Sequence, residues 1–389
     1  MKAIYNARII TTAGILEKYA VVYSDKIIAV VPEPALAGYI LTDRMNARGH
    51  YLAPGFIDLH IHGGAGADTM DVAGDALAVM SRILPQSGVT AFLPTTMTMK
   101  FELVTAALER VRAQIGHCPG AEILGCHFEG PFINADYKGA QDAQYITTPS
   151  FAKIAGFADV IKIATIAPEL PGSLAFIREA VDHNIVVSIG HSAATYEQAL
   201  AAITAGTSHV THMFNAIAAS NHRRPGVLGA ILDSSVTCEL IADNIHVHPA
   251  SQRLLYRLTG GERLILITDA MRACLMPDGY YELGGQQVSV ADSTAQLDNG
   301  VIAGSVLTLD KAVANFRKTS GLALHEVVNM VTMNPARKLR MDHCKGSIVP
   351  GNQADMVIFD ENITILETIV KGRTVYRRWP HADSDCQRL

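Results

Sequence analysis

The sequence has no run of about 18 uncharged apolar residues, and its amino terminus lacks the apolar core of a signal peptide. No long basic run occurs, and 32 Lys and Arg residues stand against 37 Asp and Glu residues, a formal net charge of -5. We therefore predict a protein that spans no membrane and that binds neither nucleic acid nor an anionic membrane surface.

Cysteine is scarce, and none of its spacings is Cys-x-x-Cys. The six cysteines are Cys118, Cys126, Cys238, Cys274, Cys344 and Cys386. This pattern favours free thiols over a disulfide framework or a zinc knuckle, because disulfides need an oxidising compartment. We predict a cytoplasmic location.

Apolar residues, by contrast, are plentiful: they make up 49% of the 389 residues, against 18% charged residues, enough for a large buried core. Both chain ends are rich in short β-branched segments separated by turns, at 20–31 and at 355–370. We predict that residues 1–52 and 346–389 fold together into one small β-sandwich domain. Residues 53–345 then form the main domain.

The main domain alternates apolar runs with Ala-, Leu- and Glu-rich helical segments. The apolar runs are 56–60, 89–95, 122–128, 160–166, 185–190, 208–213, 236–242 and 264–269. The clearest helical segments are 74–84, 101–115, 173–183 and 195–205. This rhythm predicts an α/β fold, a (β/α)8 TIM barrel.

A doubly wound sheet is the alternative fold, but no Gly-x-Gly-x-x-Gly follows the first strand. Residues 271–310 interrupt the strand–helix rhythm with glycines and alternating polar residues. We predict that this segment is a hairpin insertion near the mouth of the barrel.

His60 and His62 lie at the end of an apolar run and are followed by two glycines. This pattern predicts a buried strand that leads into a tight turn. Residues two apart on a strand point to the same side, and both imidazoles therefore project together. Such a pair suits a divalent transition metal such as Zn, Fe, Ni or Co. The alternative is a pair of polar residues hydrogen-bonded to neighbouring loops.

Other predicted strands also end in polar residues, and catalytic groups of a TIM barrel lie at these strand ends. Glu129, His191 and His212 make an O,N,N set, the open three-ligand arrangement of a hydrolytic metal site. A metal there would supply hydroxide at neutral pH. Asp269 would take a proton from the water and return it to the leaving group, or alternatively would cap a helix.

Two further histidines on these strands are not predicted to be ligands. His127 shares a strand face with Glu129, and it either orients that carboxylate or fills the barrel. His209 lies three residues before His212 and so on the opposite strand face, which predicts a structural role.

Eight blocks of the sequence carry a resemblance to a known family. They are residues 54–63, 127–132, 190–192, 212–216, 223–226, 241–247, 268–270 and 346–355. The chain resembles the amidohydrolase superfamily and, within it, the N-acetylglucosamine-6-phosphate deacetylase family, over essentially its whole length. The resemblance implies metal-dependent hydrolysis of N-acetyl-D-glucosamine 6-phosphate to D-glucosamine 6-phosphate and acetate, in amino-sugar catabolism and cell-wall recycling.

The resemblance also implies roles for individual residues. It assigns the catalytic metal to Glu129, His191 and His212, with metal-bound hydroxide as nucleophile and Asp269 as general base and then acid. Substrate contacts are implied for Gln141, Asn215, Ala216, Arg223 and His246.

The family implies a homodimer in which Arg223 reaches the phosphate of the neighbouring subunit. An Arg fork suits a dianionic phosphate, and a chain of net negative charge needs such a local cation. Without the family, a solvated loop is an equal alternative for Arg223 and Arg224, and the role of Arg224 stays open.

Some family members have His where this chain has Gln141, and that His polarises the acetamide carbonyl in single-metal enzymes. Members with Gln tend to keep His-x-His. We therefore expect one or two divalent metals per chain, with a second metal at His60 and His62 doing the polarising.

Two other functions remain as alternatives. A cyclic amidase of the dihydroorotase or hydantoinase kind would need a carbamylated lysine at a strand end, and the nearest candidate, Lys162, lies well before the end of its strand. A non-catalytic barrel scaffold would typically lack some ligands or the acid, whereas this chain keeps them all.

Overall fold

The computed structural model describes residues 1–379, so Cys386 and the last ten residues of the predicted β domain lie outside the described residues. The chain begins with strands that belong to one sheet. These are β1 (Lys2–Thr11), β2 (Gly14–Tyr23), β3 (Ile27–Pro32), β4 (Asp43–Asn46) and β5 (Tyr51–Pro54).

Strands and helices then alternate, as the apolar runs predict. The strands are β6 (Phe56–Ile61), β7 (Gly63–Gly64), β8 (Ala67–Asp68), β9 (Val89–Pro94), β10 (Glu122–Ile123), β11 (Cys126–Glu129), β12 (Ile161–Ile166), β13 (Val186–Ile189), β14 (His209–Val210), β15 (Thr237–Ile241) and β16 (Leu264–Ile267). The helices are α1 (Ala76–Ile83), α2 (Phe101–Gln114), α3 (Ser173–Asp182), α4 (Tyr196–Ala205), α5 (Gly226–Leu232) and α6 (Pro249–Thr259). Short 3-10 helices lie in the connections, at Glu33–Gly38, Leu84–Ser87, Ala135–Tyr137, Ala143–Tyr145, Phe151–Lys153, Ala155–Phe157 and Gly261–Arg263.

Local sequence explains why these elements form where they do. All six residues of β9 are buried, the pattern of a parallel strand covered on both faces. At the start of α4, the Thr195 hydroxyl accepts the Gln198 amide hydrogen and the Gln198 side chain accepts that of Thr195, a capping box. The helix ends at Gly206, whose φ of 121° disfavours other residues.

Nine of the strands from β6 to β16 form two parallel sheets, with the orders β10-β9-β6 and β11-β12-β13-β14-β15-β16, while β7 and β8 pair with each other in an antiparallel ribbon. Parallel bridges connect the two sheets at two places, between Ile61 and Ala270 and between Thr95 and His127. The carboxyl ends of the strands therefore lie together on one face. The predicted α/β class with parallel strands is confirmed.

The third predicted strand differs from the prediction, because it is split into β10 and β11 at Gly125. A Cβ atom there would lie only 2.6 Å from the Val160 carbonyl oxygen, and φ is 146°. The backbone therefore approaches its neighbour closely at this point. One half of the strand pairs with β9 and the other half with β12.

The insertion after β16 is an antiparallel meander of β17 (Gly279–Leu283), β18 (Gln286–Ala291) and β19 (Thr294–Leu297). The predicted hairpin is thus present, with one more strand. It is followed by α7 (Leu309–Ser320), α8 (Leu324–Asn329) and α9 (Met333–Lys338).

The described chain ends with β20 (Met356–Phe359), β21 (Ile365–Val370) and β22 (Arg373–Arg377). Strand β20 pairs with β5, so both chain ends share an eight-stranded sheet of order β22-β21-β20-β5-β1-β2-β3, with β4 beside β1. Between residues 1 and 379, no helix has the length and apolar character needed to cross a membrane.

Candidate functional site

Three of the predicted ligands converge at the ends of neighbouring strands. Glu129 is the last residue of β11, while His191 and His212 follow β13 and β14. The Glu129 Oε1 atom lies 3.2 Å from His191 Nε2 and 3.0 Å from His212 Nε2, and the two Nε2 atoms are 3.0 Å apart. All three side chains are buried.

The His-x-His pair lies directly beside this cluster. The Nε2 atoms of His60 and His62 are 3.3 Å apart, and Asp269 Oδ1 lies 3.4 Å and 3.2 Å from them. Glu129 stands between the two groups, because its Oε2 is 3.3 Å from His62 Nε2 and its Oε1 is 3.5 Å from His60 Nε2. The residues therefore form two adjoining sets of three donors.

Hydrogen bonds on the far side of two of the rings fix which of their nitrogens faces the cluster. The Nδ1 atom of His191 lies 2.9 Å from the Tyr137 carbonyl oxygen, and that of His62 lies 3.3 Å from the Thr95 carbonyl oxygen. Because a carbonyl can only accept, each Nδ1 carries the hydrogen and donates it. In the neutral ring each Nε2 then directs a lone pair into the cluster, as in metal-ligating histidines.

The donor atoms fit divalent metals. Neutral Nε2 lone pairs 3.0–3.3 Å apart repel each other unless positive charge lies between them. Ligands of a tetrahedral zinc ion, at bond lengths of about 2.0–2.1 Å, are themselves about 3.3 Å apart. The set of Glu129, His191 and His212 therefore suits one metal, and His60 with His62 suits a second.

The carboxylates of the cluster attract positive charge. Without a metal, burial alone would raise the pKa of Glu129, but the charge of protonated His60 and hydrogen bonds from His191 and His212 hold it well below the usual carboxyl range. Burial opposes ionisation of Asp269 as well, and the same charge with a hydrogen bond from His62 lowers its pKa. Burial would lower the pKa of His62, yet hydrogen bonds to the two carboxylates raise it to about 9, so a metal would bind to this ring by displacing a proton.

The backbone at three of these positions has a left-handed conformation. The φ angles are 49° at His191, 29° at His212 and 50° at Asp269. A non-glycine residue there costs roughly 1–3 kcal/mol, and such residues cluster at functional sites. At each of these strand ends the turn directs the side chain toward the shared centre.

The cluster forms the floor of a cavity of about 280 Å³. Its apolar wall comes from Met97 and from the insertion and the loop after it, through Leu283, Val301 and Ile302. Of the predicted substrate contacts, Gln141, Asn215, Ala216 and His246 line the cavity. One small molecule could thus touch the metal ligands and these four residues together.

The Gln141 side chain is held by two hydrogen bonds that the sequence did not predict. Its amide nitrogen donates to Glu129 Oε2 at 2.9 Å, and its amide oxygen accepts the Thr98 backbone hydrogen at 2.6 Å. The side chain is buried and orients the central carboxylate. Its contact with an acetamide carbonyl remains a prediction.

Arg223 is the one predicted substrate contact that does not line the cavity. It is exposed on the loop before α5, where its Nη1 contacts His222 Nε2 at 2.9 Å. His246, by contrast, is held at the cavity by Asp243, whose Oδ2 lies 2.6 Å from the His246 Nδ1 atom. Within one chain, the site therefore lacks the predicted phosphate-binding arginine.

His127 and His209, which the sequence does not predict to be metal ligands, form hydrogen bonds with other groups. His127 bonds to the Leu59 carbonyl oxygen at 3.0 Å and to the Thr165 hydroxyl at 2.7 Å. Burial and the charge of His60 lower the pKa of His127 to about 3, so it is neutral. His209 lies 3.1 Å from Glu239. Both fill the interior beneath the ligands.

Sequence reasoning missed Glu239, a fully buried carboxylate in the middle of β15. Its Oε2 lies 3.0 Å from His60 Nδ1. The sequence feature that could have identified Glu239 is its place inside the otherwise apolar run 236–242, where a buried unpaired charge would be costly.

Two alternatives from the sequence find no support in the geometry. The Lys162 ammonium group donates to the Asp159 carbonyl oxygen at 3.0 Å, away from the ligand cluster, as a bridging lysine would not. Asp269 caps no helix, because residues 270–276 form turns and a bridge and α7 begins only at Leu309.

Comparison with known proteins gives consistent results. The sequence model of the protein family described as "Amidohydrolase family" matches residues 51–375 of this chain. An N-acetylglucosamine-6-phosphate deacetylase of Lysinibacillus sphaericus is 40% identical over 380 residues, covering 95% of this chain and 96% of that protein. An N-acetylgalactosamine-6-phosphate deacetylase of Escherichia coli O157:H7 is 36% identical, covering 94% of this chain and 97% of that protein.

Solved structures agree. The crystal structure of an N-acetylglucosamine-6-phosphate deacetylase from Pasteurella multocida superposes with a TM-score of 0.91 at 33% identity. The match covers 96% of this chain and 99% of that one.

Proposed function

This chain belongs to the amidohydrolase family and is a hydrolase, and we propose that it deacetylates N-acetyl-D-glucosamine 6-phosphate to D-glucosamine 6-phosphate and acetate. The observation that carries the proposal is the buried cluster of Glu129, His191 and His212 with Asp269 beside it, at the floor of one cavity. Acetate release from a panel of N-acyl amino sugars, with and without phosphate, tests it. No release from the phosphorylated acetamides would refute it.

Each residue of the cluster has a proposed part in the reaction. Glu129, His191 and His212 would hold a divalent metal, which when bound lowers the pKa of water and polarises a carbonyl. Asp269, a carboxylate at neutral pH, accepts a proton from the attacking water at Oδ1. The same group then returns that proton to the departing amine, while Asn215 and His246 contact the sugar phosphate.

We propose a second metal at His60 and His62. Wild-type protein loaded with zinc or cobalt should then carry two equivalents per chain, and the double variant His60→Gln/His62→Gln should carry one. The matched control is His127→Gln, a buried histidine bonded to Leu59 and Thr165, which should keep both equivalents. Metal analysis of desalted protein measures this, and one equivalent in fully active wild-type protein would contradict the second site.

Arg223 is proposed to bind the substrate phosphate in the partner subunit of a homodimer. Arg223→Ala should raise KM for the phosphorylated substrate by about tenfold or more with kcat little changed, because a charge-assisted hydrogen bond contributes about 1.5–3 kcal/mol. The control is Arg178→Ala, an exposed arginine of α3. Equal use of unphosphorylated N-acetylglucosamine by the parent enzyme would count against a phosphate site.

Hybrid dimers test whether Arg223 acts across the interface. Mixing Arg223→Ala chains with Asp269→Asn chains gives dimers in which one site has both residues only if they come from different subunits. Activity recovered on mixing, at low substrate concentration, supports the proposal. No recovery from verified hybrids contradicts it.

N-acetyl-D-galactosamine 6-phosphate is a second candidate substrate, favoured by the relative from Escherichia coli O157:H7. The two sugars differ only in the orientation of the C4 hydroxyl. The ratio of kcat/KM values for the two substrates decides between them, and we expect N-acetyl-D-glucosamine 6-phosphate to be preferred.

We further propose that the parallel strands of residues 53–345 close into a (β/α)8 barrel and that residues 1–52 and 346–379 pack as a β-sandwich. Parallel bridges between the two parallel sheets at two places support the barrel. One apolar cluster shared by Ile4, Val21, Leu52 and Ile358 supports the sandwich. A cytoplasmic location is proposed because the five described cysteines are free thiols.

A further inference from the structure

We infer that Glu239 is a positioning residue that orients one ligand in each half of the candidate metal centre. It touches neither the cavity nor the proposed substrate, and its side chain is fully buried beneath the ligands. The inference rests on the proposed metal-dependent function, since it concerns how the metal ligands are held.

Both oxygens of Glu239 accept hydrogen bonds from residues around the centre. Oε2 lies 3.0 Å from His60 Nδ1 and 3.1 Å from the backbone nitrogen of His212. Oε1 lies 3.1 Å from His209 Nε2. One carboxylate therefore connects the first strand of the main domain, β6, to the turn after β14.

The bond to His60 decides which ring nitrogen is available to a metal. A carboxylate accepts at Nδ1 and so keeps the hydrogen on that atom, which leaves the Nε2 lone pair facing His62 and Glu129. Without that acceptor the hydrogen is free to move to Nε2. The ring would then present an N–H group to the metal position.

The bond to His212 acts on the backbone instead. His212 has a φ of 29°, which an L-residue rarely adopts, and its amide hydrogen points at Glu239 Oε2. The hydrogen bond therefore stabilises the turn that directs this ring toward Glu129. Because the donors converge on one group, Glu239 couples the side chain of one ligand to the backbone of another.

The hydrogen-bond geometry around Glu239 is that of a carboxylate. Three N–H donors lie within 3.1 Å of its two oxygens, and each oxygen accepts from at least one of them. Hydrogen bonds to a charged acceptor are the stronger ones.

A third metal site at His60, His127 and Glu239 is the competing explanation, since their donor atoms also lie close together. His127 Nδ1 lies 3.0 Å from the Leu59 carbonyl oxygen, so it carries a hydrogen there and has no lone pair to offer. Its Nε2 is engaged by the Thr165 hydroxyl at 2.7 Å. The geometry thus favours hydrogen bonding over a third ion.

The test is Glu239→Gln, which keeps the shape and removes the charge and one acceptor. We expect the protein to fold and to bind the more weakly held zinc or cobalt equivalent at least about tenfold less tightly, the usual range for such outer partners being 10–100-fold. Nitrogen-15 NMR of the histidine rings in chelator-treated protein, recorded at a pH where His60 is neutral, should show His60 shifting from the Nδ1–H toward the Nε2–H tautomer.

The matched control is Glu367→Gln, a buried carboxylate of β21 bonded to Thr374 and Trp379, which does not line the cavity. It should lower stability while leaving metal affinity and the His60 tautomer unchanged. If Glu239→Gln does not fold, Glu239→Asp, shorter by one methylene, should show the same loss of metal affinity and tautomer shift.

A folded Glu239 variant with wild-type metal affinity and an unchanged His60 tautomer would overturn the inference. Its failure is distinguishable from failure of the proposed function, because metal binding and the tautomer are read without substrate. Wild-type protein that binds both equivalents but releases no acetate would refute the deacetylase function and leave the role of Glu239 intact.

Discussion

Replacing Asp269 with Asn should lower kcat by about 10²–10⁴-fold, the range for losing a positioned general acid–base group. Asn has nearly the same shape, but its amide does not take a proton from the attacking water. Because Glu129, His191 and His212 are untouched, the variant should still bind at least one metal equivalent. Initial rates of acetate release and metal analysis of the same sample measure both quantities.

The matched control is Asp310→Asn, which changes a half-buried carboxyl in the first turn of α7, outside the cavity. Its turnover should be close to that of the parent enzyme. Near-normal turnover in Asp269→Asn would refute the acid–base assignment, and loss of all metal would show that Asp269 acts instead as an indispensable ligand.

Replacing Glu129 with Gln should have the other large effect, because this carboxylate lies within 3.5 Å of all four histidines of the cluster. The change removes the negative charge shared by the two sets of donors. We expect loss of metal from both positions and a fall in kcat of at least about 10²–10³-fold, the cost of losing one strong electrostatic contribution.

Chelation provides the parallel experiment. Wild-type protein treated with a chelator should lose activity and regain it with zinc, iron, nickel or cobalt, whereas Glu129→Gln should regain little at any concentration. The control is Glu122→Gln, whose carboxylate pairs with Lys345 and Lys371 outside the cavity. Full metal content in Glu129→Gln would contradict the proposed ligand set.

Most elements of the main domain follow from local patterns. The apolar run 89–95 corresponds to β9 (Val89–Pro94), and the helical segment 101–115 corresponds to α2 (Phe101–Gln114). These agreements arise because a strand buried on both faces and an amphipathic helix each leave a periodic record in the sequence. The split of the third strand at Gly125 produces no periodic pattern in the sequence, since it depends on how closely the Val160 carbonyl oxygen approaches the Gly125 backbone.

The membership of the site was predictable for a similar reason. Parallel strands bring their carboxyl ends to one face, so Glu129, His191, His212 and Asp269 had to lie near one another once the fold class was correct. Their partners were not predictable. Gln141 reaches Glu129 from a loop twelve residues further along the chain, and Glu239 reaches His60 across 179 residues.

The sequence by itself therefore determined the alternation of strands and helices, the polar residues at the strand ends and the family. Tertiary structure alone decided which ring nitrogen carries the hydrogen in His60, His62 and His191, because the tautomer depends on which acceptor lies behind the ring. It also decided the left-handed turns at His191, His212 and Asp269, where no glycine marks the position. Periodicity records burial, whereas hydrogen bonds between distant strands exist only after the chain has folded.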